Sequence, residues 1–274
     1  MSNHMLIFGM GYTASRLGAS LVNAGWQVTG IRRSGGHGVL AFDDHAGICN
    51  ALSSATHVLS SVPPAQEGHD PVLKNYGEAI AACAANWLGY LSSTGVYGDT
   101  GGAWVDESAA IGRGRRTARA EADLAWQALR PDMNIFRLPG IYGPARSALD
   151  RVRAGRANRI DVPGQIFSRI HVDDIVSAVR ASFAAFPGVY NISDDRPATS
   201  NEVIEFACNL AGLPWPGLQS LEEATISPMA RGFYSENRRV SNLKAKRLLA
   251  WNPTYSDYKQ GLAQIWTSEL QAFH

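Results

Sequence analysis

The sequence predicts an α/β fold: a doubly wound parallel sheet with a smaller C-terminal α/β lobe. Three observations carry this. Through the first half of the 274 residues, apolar runs too short for helices alternate with helical periodicity, the pattern of parallel strands joined by right-handed crossovers. A glycine turn, Gly9-Met10-Gly11, stands between the first apolar run and the first helix. After about residue 147 the alternation fades into helical segments, one strand and proline-rich chain, as for a lobe set over the strand ends.

Met5-Leu6-Ile7-Phe8 has no polar alternation, which places it in a strand buried on both faces. Residues 12–24 carry Leu17, Leu21 and Val22 on one helical face, Gly25 closes that helix, and 27–31 form the second strand. A third strand, 39–42, precedes Asp43-Asp44 and a short helix near 47–53. A fourth, 57–61, ends in Val62-Pro63-Pro64. From Pro71 a helix carries Leu73, Tyr76, Ile80 and Cys83 in register, and a fifth strand, 87–92, runs into Ser93-Thr94-Gly95-Val96-Tyr97-Gly98. A polar, glycine-bearing loop over 99–114 leads to a helix whose apolar face is Ala122, Ala125, Trp126 and Leu129. The sixth strand, 134–138, is followed by Pro139-Gly140-Ile141-Tyr142-Gly143-Pro144. These elements divide the chain into 1–146 and 147–274, with a later strand returning to the sheet near 166–193. Residues 190–192 and 231–242 are expected to frame a pocket, Asn242 stands where a helix cap is needed, and 213–232, with three prolines and two glycines, reads as a mobile cover loop.

A net charge of +1, with no basic stripe and no interleaving of aromatic and basic residues, argues against nucleic acid as a partner. Cys49, Cys83 and Cys208 are odd in number, far apart and in helical segments, so they are expected to be buried thiols, with no disulfide framework and no metal site. No apolar run reaches the length of a membrane span and the N-terminus lacks a signal core, so a cytoplasmic location without membrane association is expected.

The glycine turn has a chemical reading. Gly9 permits the tight turn, Gly11 lets the backbone approach a pyrophosphate, and Ala14 is small enough for the helix to pack on the strand. The helix N-terminus then offers N–H groups and a positive dipole end to the phosphates. Where NAD-preferring folds place an acidic residue to accept from the ribose 2′-hydroxyl, this chain has Arg32 and Arg33. A guanidinium cannot accept that bond but pairs with a 2′-phosphate. NADP(H) is therefore expected over NAD(H), by about 10- to 150-fold for one charged hydrogen bond. One of the two arginines is expected to be only a solvated charge.

Several segments taken together resemble the extended short-chain dehydrogenase/reductase superfamily, which includes NAD-dependent sugar epimerases and dehydratases. They are the turn at Gly9, the run from Tyr90 to Asp99, Arg137-Leu138-Pro139-Gly140-Ile141-Tyr142-Gly143-Pro144, Ile170-His171-Val172-Asp173-Asp174-Ile175, Tyr190-Asn191-Ile192, and Leu248-Leu249-Ala250-Trp251-Asn252-Pro253. The resemblance implies a Rossmann-type fold with a substrate lobe. It also implies a cofactor site made of Gly9, Gly11, Tyr12, Thr13, Arg32, Arg33, Asp43, Ser61, Val62, Pro139 and Ile141. Ser93 would hydrogen-bond the reacting oxygen of the substrate, with Thr94 able to take its place; the alternative is that both hydroxyls only satisfy backbone at the strand end. In that family the main acid/base is a Tyr followed four residues later by a Lys, yet residues 99–125 contain neither type. Matching the helix by Glu121 puts Arg113 at the Tyr position and Thr117 at the Lys position. The chain is thus most similar to the superfamily's atypical branch.

Losing a positioned acid/base costs about 10²- to 10⁴-fold in rate unless something compensates. Arg113, Arg115, Arg116 and Arg119 crowd the start of a helix against its dipole, which points to an anion nearby. In one reading Arg113 or Arg116 faces the cleft and binds a substrate carboxylate or phosphate, joined by Arg137. In the other, these arginines form solvated pairs with Asp106, Glu107, Glu121 and Asp123. Arginine is too basic to take a proton, so its role here is binding. Tyr142 is expected at the substrate site, and it and Tyr97 are the remaining phenols. His171 is an acid/base candidate by its ordinary pKa, although the matching motif makes it structural, with Asp173 or Asp174 capping the next helix. Two functions stay open: an oxidoreductase or epimerase/dehydratase-like enzyme on a small anionic or sugar-derived molecule, or a non-catalytic NADP(H)-sensing regulatory protein. The resemblance also implies a homodimer through two helices.

Overall fold

A computed structural model describes residues 3–36, 38–65, 68–112, 114 and 117–272. Its first strand, β1 (His4–Phe8), is buried throughout, with Met5 and Ile7 packed on one face of the sheet and Leu6 and Phe8 on the other. The turn leads into α1 (Tyr12–Asn23), which buries Ala14, Leu17, Gly18 and Leu21; Val22 stands exposed, one position off the expected face. Next, β2 (Gln27–Arg32) pairs parallel to β1. The stretch that follows, read as a connection, forms β3 (Ser34–Gly36), antiparallel to β4 (Val39–Ala41). Gly35 and Gly38 make this hairpin with positive φ, a conformation open to glycine at little cost.

Asp44 caps α2 (His45–Ser54) by accepting from the Gly47 N–H. After β5 (His57–Ser60), Asp70 accepts from Val72 and Leu73 to start α3 (Pro71–Ala82), with Pro71 in the first turn where its missing N–H costs nothing. Then come β6 (Trp87–Ser93), a 3₁₀ turn at Thr94–Tyr97, β7 (Trp104–Val105), α4 (Thr117–Leu129) and β8 (Met133–Leu138). Beyond them lie β9 (Gly140–Tyr142), α5 (Ala148–Arg153), β10 (Arg159–Ile160), β11 (Arg169–His171), α6 (Val172–Ala181) and β12 (Gly188–Asn191). The chain closes with α7 (Ser200–Ala211), β13 (Leu218–Gln219), α8 (Pro228–Phe233), β14 (Arg239–Val240), α9 (Leu243–Leu248) and α10 (Tyr258–Ala272). The expected cover loop therefore contains β13, which pairs with β10, and most of α8.

The main sheet has the order β12-β8-β6-β5-β1-β2-β4-β3, parallel except for β3. From β1 the chain winds outward through β2 and β4, then crosses back to β5 on the other side of β1. The order reverses between β1 and β5, so a crevice opens at the C-terminal ends of these two strands. Helices cover both faces of the sheet, and a further apolar cluster joins α5, α7 and α10 through Leu149, Ile204, Leu262 and Ile265. Short pairs β9–β11 and β7–β14 tie the later chain to the segments after β8 and β6. Among the described residues no helix is long and apolar enough to cross a membrane.

Of the cysteines, only Cys208 is fully buried. Cys83 is partly covered and Cys49 is exposed, because α2 turns Ile48, Ala51 and Leu52 inward and leaves Cys49 on its outer face. Asn242 precedes α9 but makes no capping bond; its amide donates to the Ser193 carbonyl and to Asp195 instead.

Candidate functional site

At the end of β1 the backbone turns with Gly9 at φ +86°. A Cβ there would lie 2.8 Å from the Val62 side chain and 2.9 Å from Ser61 Oγ, so only glycine fits. The Gly9 and Met10 N–H groups both donate to the Ile31 carbonyl, and Ser61 Oγ donates to the Gly9 carbonyl. Met10 folds back over Gly30, whose Cβ would lie 2.4 Å from Met10 Cγ. Gly11 heads α1 without a side-chain cap, and a Cβ on it would meet nothing closer than 4.0 Å. The first turn of α1 is thereby left bare toward open space, a cradle that fits the phosphates of a dinucleotide.

The turn forms one end of a cleft of about 940 Å³. Gly11, Tyr12, Thr13, Ser61, Pro139 and Ile141 line it, as do Ser93, Thr94 and Tyr142. Ser93 Oγ accepts from the Gly95 N–H at 3.1 Å, which leaves its own proton to be donated outward. Tyr142 packs edge-on against His171, and burial pushes its phenol well above the ordinary range. Val62 braces Gly9 and does not line the cleft, and Asp43 is exposed on the turn after β4. Arg32 is exposed, but its Nε donates to the Met10 carbonyl at 3.0 Å, which holds the guanidinium against the glycine turn. Arg33 is exposed at the start of the β3–β4 hairpin.

The arginines expected to meet the substrate fare differently. Arg113 and Arg116 lie outside the described residues. Arg137 does not reach the cleft. It is 3% exposed, Nε and Nη2 donate to the two Asp123 oxygens at 3.1 and 2.8 Å, and Nη1 donates to the Tyr97 hydroxyl at 3.0 Å. Tyr97 in turn donates to Asn191, and Ser92 to Asp123. A buried guanidinium needs such a full set of partners, so Arg137 ties β8 to α4 and to the Thr94–Tyr97 turn, and Tyr97 has its hydroxyl engaged there too. His171 caps α6 itself, Nδ1 accepting from Asp173 N–H, and burial lowers its pKa. Asp173 pairs with Arg16 of α1, and Asp174 accepts from Thr254 and Tyr255.

The cleft holds cations that the sequence reading missed. Arg146, Arg151, Arg156 and Arg169 line it as well. Arg146 lies over the Tyr12 ring. Arg169 donates to the carbonyls of Phe167, Ala198 and Thr199; burial lowers its pKa to about 10, against the pull of Asp194 and with a push from Arg151. Arg151 is open to the cleft yet enclosed by its walls, and that desolvation lowers its pKa as well. Among the described residues no carboxylate forms an ion pair with Arg146, Arg151 or Arg156. Glu236 and Arg238 also line the cleft. A basic helix such as α5, with Arg151 and Arg153, carries no motif that would announce a site; only the returning chain makes one.

The fold and the cleft define a class: a Rossmann-type α/β protein built like the NAD-dependent epimerases and dehydratases. MoeE5 in complex with UDP-glucose and NAD matches it with a TM-score of 0.80 at 18% identity, over 99% of this chain and all of that one. UDP-glucose 4-epimerase of Thermotoga maritima, with UDP-glucose, matches with 0.76 at 15% identity, over 99% and 100%. A functionally unknown conserved protein from Silicibacter pomeroyi DSS is 40% identical over 97% of this chain and 99% of its own, with a TM-score of 0.86. The chain belongs to the same family as that protein. No family model and no curated protein matches the sequence.

Proposed function

We propose that the protein is an NADP(H)-dependent enzyme of the atypical short-chain dehydrogenase/reductase type, an oxidoreductase or epimerase/dehydratase on a small anionic or sugar-derived substrate. One observation carries this reading. A single cleft is lined by the glycine turn, by Ser93 and Thr94, and by the guanidiniums of Arg146, Arg151 and Arg156, which form no ion pair with a carboxylate among the described residues. Residues 1–146 hold the dinucleotide and 147–274 mainly the substrate. Arg32, held against the glycine turn, or Arg33 beside it receives the 2′-phosphate. Arg151 and Arg169 hold the anionic group of the substrate, whose charge would relieve their mutual repulsion in a partly desolvated site. Ser93 donates to the reacting oxygen, with Thr94 beside it, and Tyr142 walls the site. A bound nicotinamide supplies the acceptor or donor of hydride.

The absence of Tyr and Lys from 99–125 favours a second reading, a protein that binds NADP(H) and signals its redox state without turnover. Titration of NADPH and NADH decides the cofactor: an NADPH preference of about 10- to 150-fold that collapses in Arg32→Ala/Arg33→Ala is expected, and equal affinities overturn the assignment. NADPH oxidation across a library of carbonyl and nucleotide-sugar compounds, in wild type and Ser93→Ala, decides turnover. Activity lost in Ser93→Ala supports the enzyme. Tight binding with no turnover anywhere in the library supports the sensor.

A further inference from the structure

The wall of the cleft carries an ion pair. Arg238 Nη1 donates to Glu236 Oε2 at 3.0 Å and to the Gly98 carbonyl at 2.7 Å, and the two side chains are 14% and 8% exposed. Gln165 fixes the backbone beside them by donating to the Glu236 carbonyl. The pair comes from the far end of the chain, yet it sits on the turn that follows Ser93. A Cβ on Gly95 would lie 3.3 Å from Ser93 Oγ and 4.0 Å from Arg238 Nη2. A Cβ on Gly114 would lie 2.4 Å from the Gly95 carbonyl and 3.4 Å from Glu236 Oε1. The backbone at Gly95 and Gly114 is thus packed close to Ser93 and Arg238 on one side and to Glu236 on the other, within one wall of the cleft. The described cleft residues include two carboxylates: Asp150, which forms the capping box of α5, and Glu236, which pairs with Arg238 beside the turn after Ser93.

We propose that Glu236, oriented by Arg238, takes and returns the proton of the substrate oxygen held at Ser93. The proposal rests on the dinucleotide-enzyme reading above. In an oxidation the substrate O–H bond breaks, its proton passes to a Glu236 oxygen, and its electron pair stays on the substrate oxygen to complete the C=O bond. The oxidised dinucleotide, when bound, supplies the hydride acceptor that balances the reaction; reduction runs the same steps backward. Arg238 is a positioning residue that anchors the carboxylate to the Gly98 turn.

A charge at this place has a signature that needs no substrate. NADP+ carries a positive nicotinamide ring and NADPH a neutral one, so a carboxylate facing the site favours NADP+. The ratio of the NADP+ dissociation constant to that of NADPH, measured by calorimetry on the full chain, should rise about 3- to 10-fold in Glu236→Gln. It should stay at the wild-type value in Glu236→Asp, which keeps the charge, and fall in Arg238→Met, which removes the compensating cation. A strut with no role in the site would leave the ratio unmoved or shift it the same way in Glu236→Gln and Arg238→Met, and either result overturns the proposal. With any carbonyl compound that wild type reduces, Glu236→Gln should lower kcat by about 10²- to 10⁴-fold with KM little changed, and equal kcat overturns the proposal. A wild type that binds neither dinucleotide removes the cofactor reading and this proposal with it; binding with an unmoved ratio removes this proposal alone.

Discussion

At the glycine-turn end of the cleft, the lining groups sit just beyond the C-terminal ends of neighbouring strands: Gly11 after β1, Ser61 after β5, Thr94 after β6 and Pro139 after β8. The guanidiniums of the same cleft come instead from a tight turn, a short helix, the loop after it and a two-strand pair, at Arg146, Arg151, Arg156 and Arg169. The first set follows from topology, because a doubly wound sheet places its strand ends side by side. The second exists only because the later chain folds back over the crevice. Arg137 sharpens the contrast: it stands at a strand end near Ser93, as a substrate ligand would, yet its charge is neutralised inside the protein by Asp123, whereas Arg151 faces the cavity and has no such partner among the described residues.

The largest effect that tests this contrast is on stability. Arg137→Met leaves Asp123 buried and unpaired, so denaturant unfolding should show a loss of about 3–5 kcal/mol; a near-neutral outcome would mean that the guanidinium is not part of the core. Next, Gly9→Val forces a branched side chain into positive φ against Val62 and Ser61, and NADPH affinity by fluorescence titration should drop by about 100-fold, in line with strain and packing losses of a few kcal/mol. Arg151→Met should weaken binding of UDP-glucuronic acid, used as a trianionic probe, by about 10-fold, the lower end for one charged hydrogen bond, and leave NADPH binding unchanged. If both ligands weaken together, the two sets are not separable.

The smallest effect lies at the opposite end of β5 from Ser61. His57 is packed among Trp26, Trp87 and Phe183, and burial lowers its pKa to about 4. Between the unfolded value near 6.5 and that folded value, the unfolded chain binds the extra proton. Stability from the neutral imidazole is therefore present above pH 6.5 and is lost as pH falls toward 4, by about 1 kcal/mol between pH 6.5 and 5.5. In His57→Phe this part of the acid sensitivity should disappear from melting curves recorded across that range, with cofactor affinity untouched.

What could be read in the sequence follows the same division. The strand, turn, helix and second strand over the first 32 residues are contiguous, so local pattern was enough, and Ala14 and Leu17 are buried as their positions require. Of the β3–β4 hairpin, β4 was legible as the third strand, whereas β3 escaped because it is three residues long and two of them are glycine, which carries no periodicity. The cap of α6 was misplaced because Asp173 and Asp174 are the usual capping type, whereas here an imidazole accepts the bond and both carboxylates are drawn to Arg16 and to the 254–255 backbone. Arg146, Arg151, Arg156 and Arg169 of the cleft and the Glu236–Arg238 pair are brought together only by the fold, and no spacing in the chain announces them.

The strand pair β7–β14 and the bond from Arg238 to Gly98 join residues about 140 positions apart. During synthesis the ribosome delivers the glycine turn and its six central strands long before it delivers Glu236, and domains tend to fold from the N-terminus as they emerge. Closing so long a loop is slow rather than costly. A nascent chain would therefore pass through a stage with a formed glycine turn and without the Glu236–Arg238 pair; on the function proposed above, that is a molecule able to hold a cofactor before it has the means to use it.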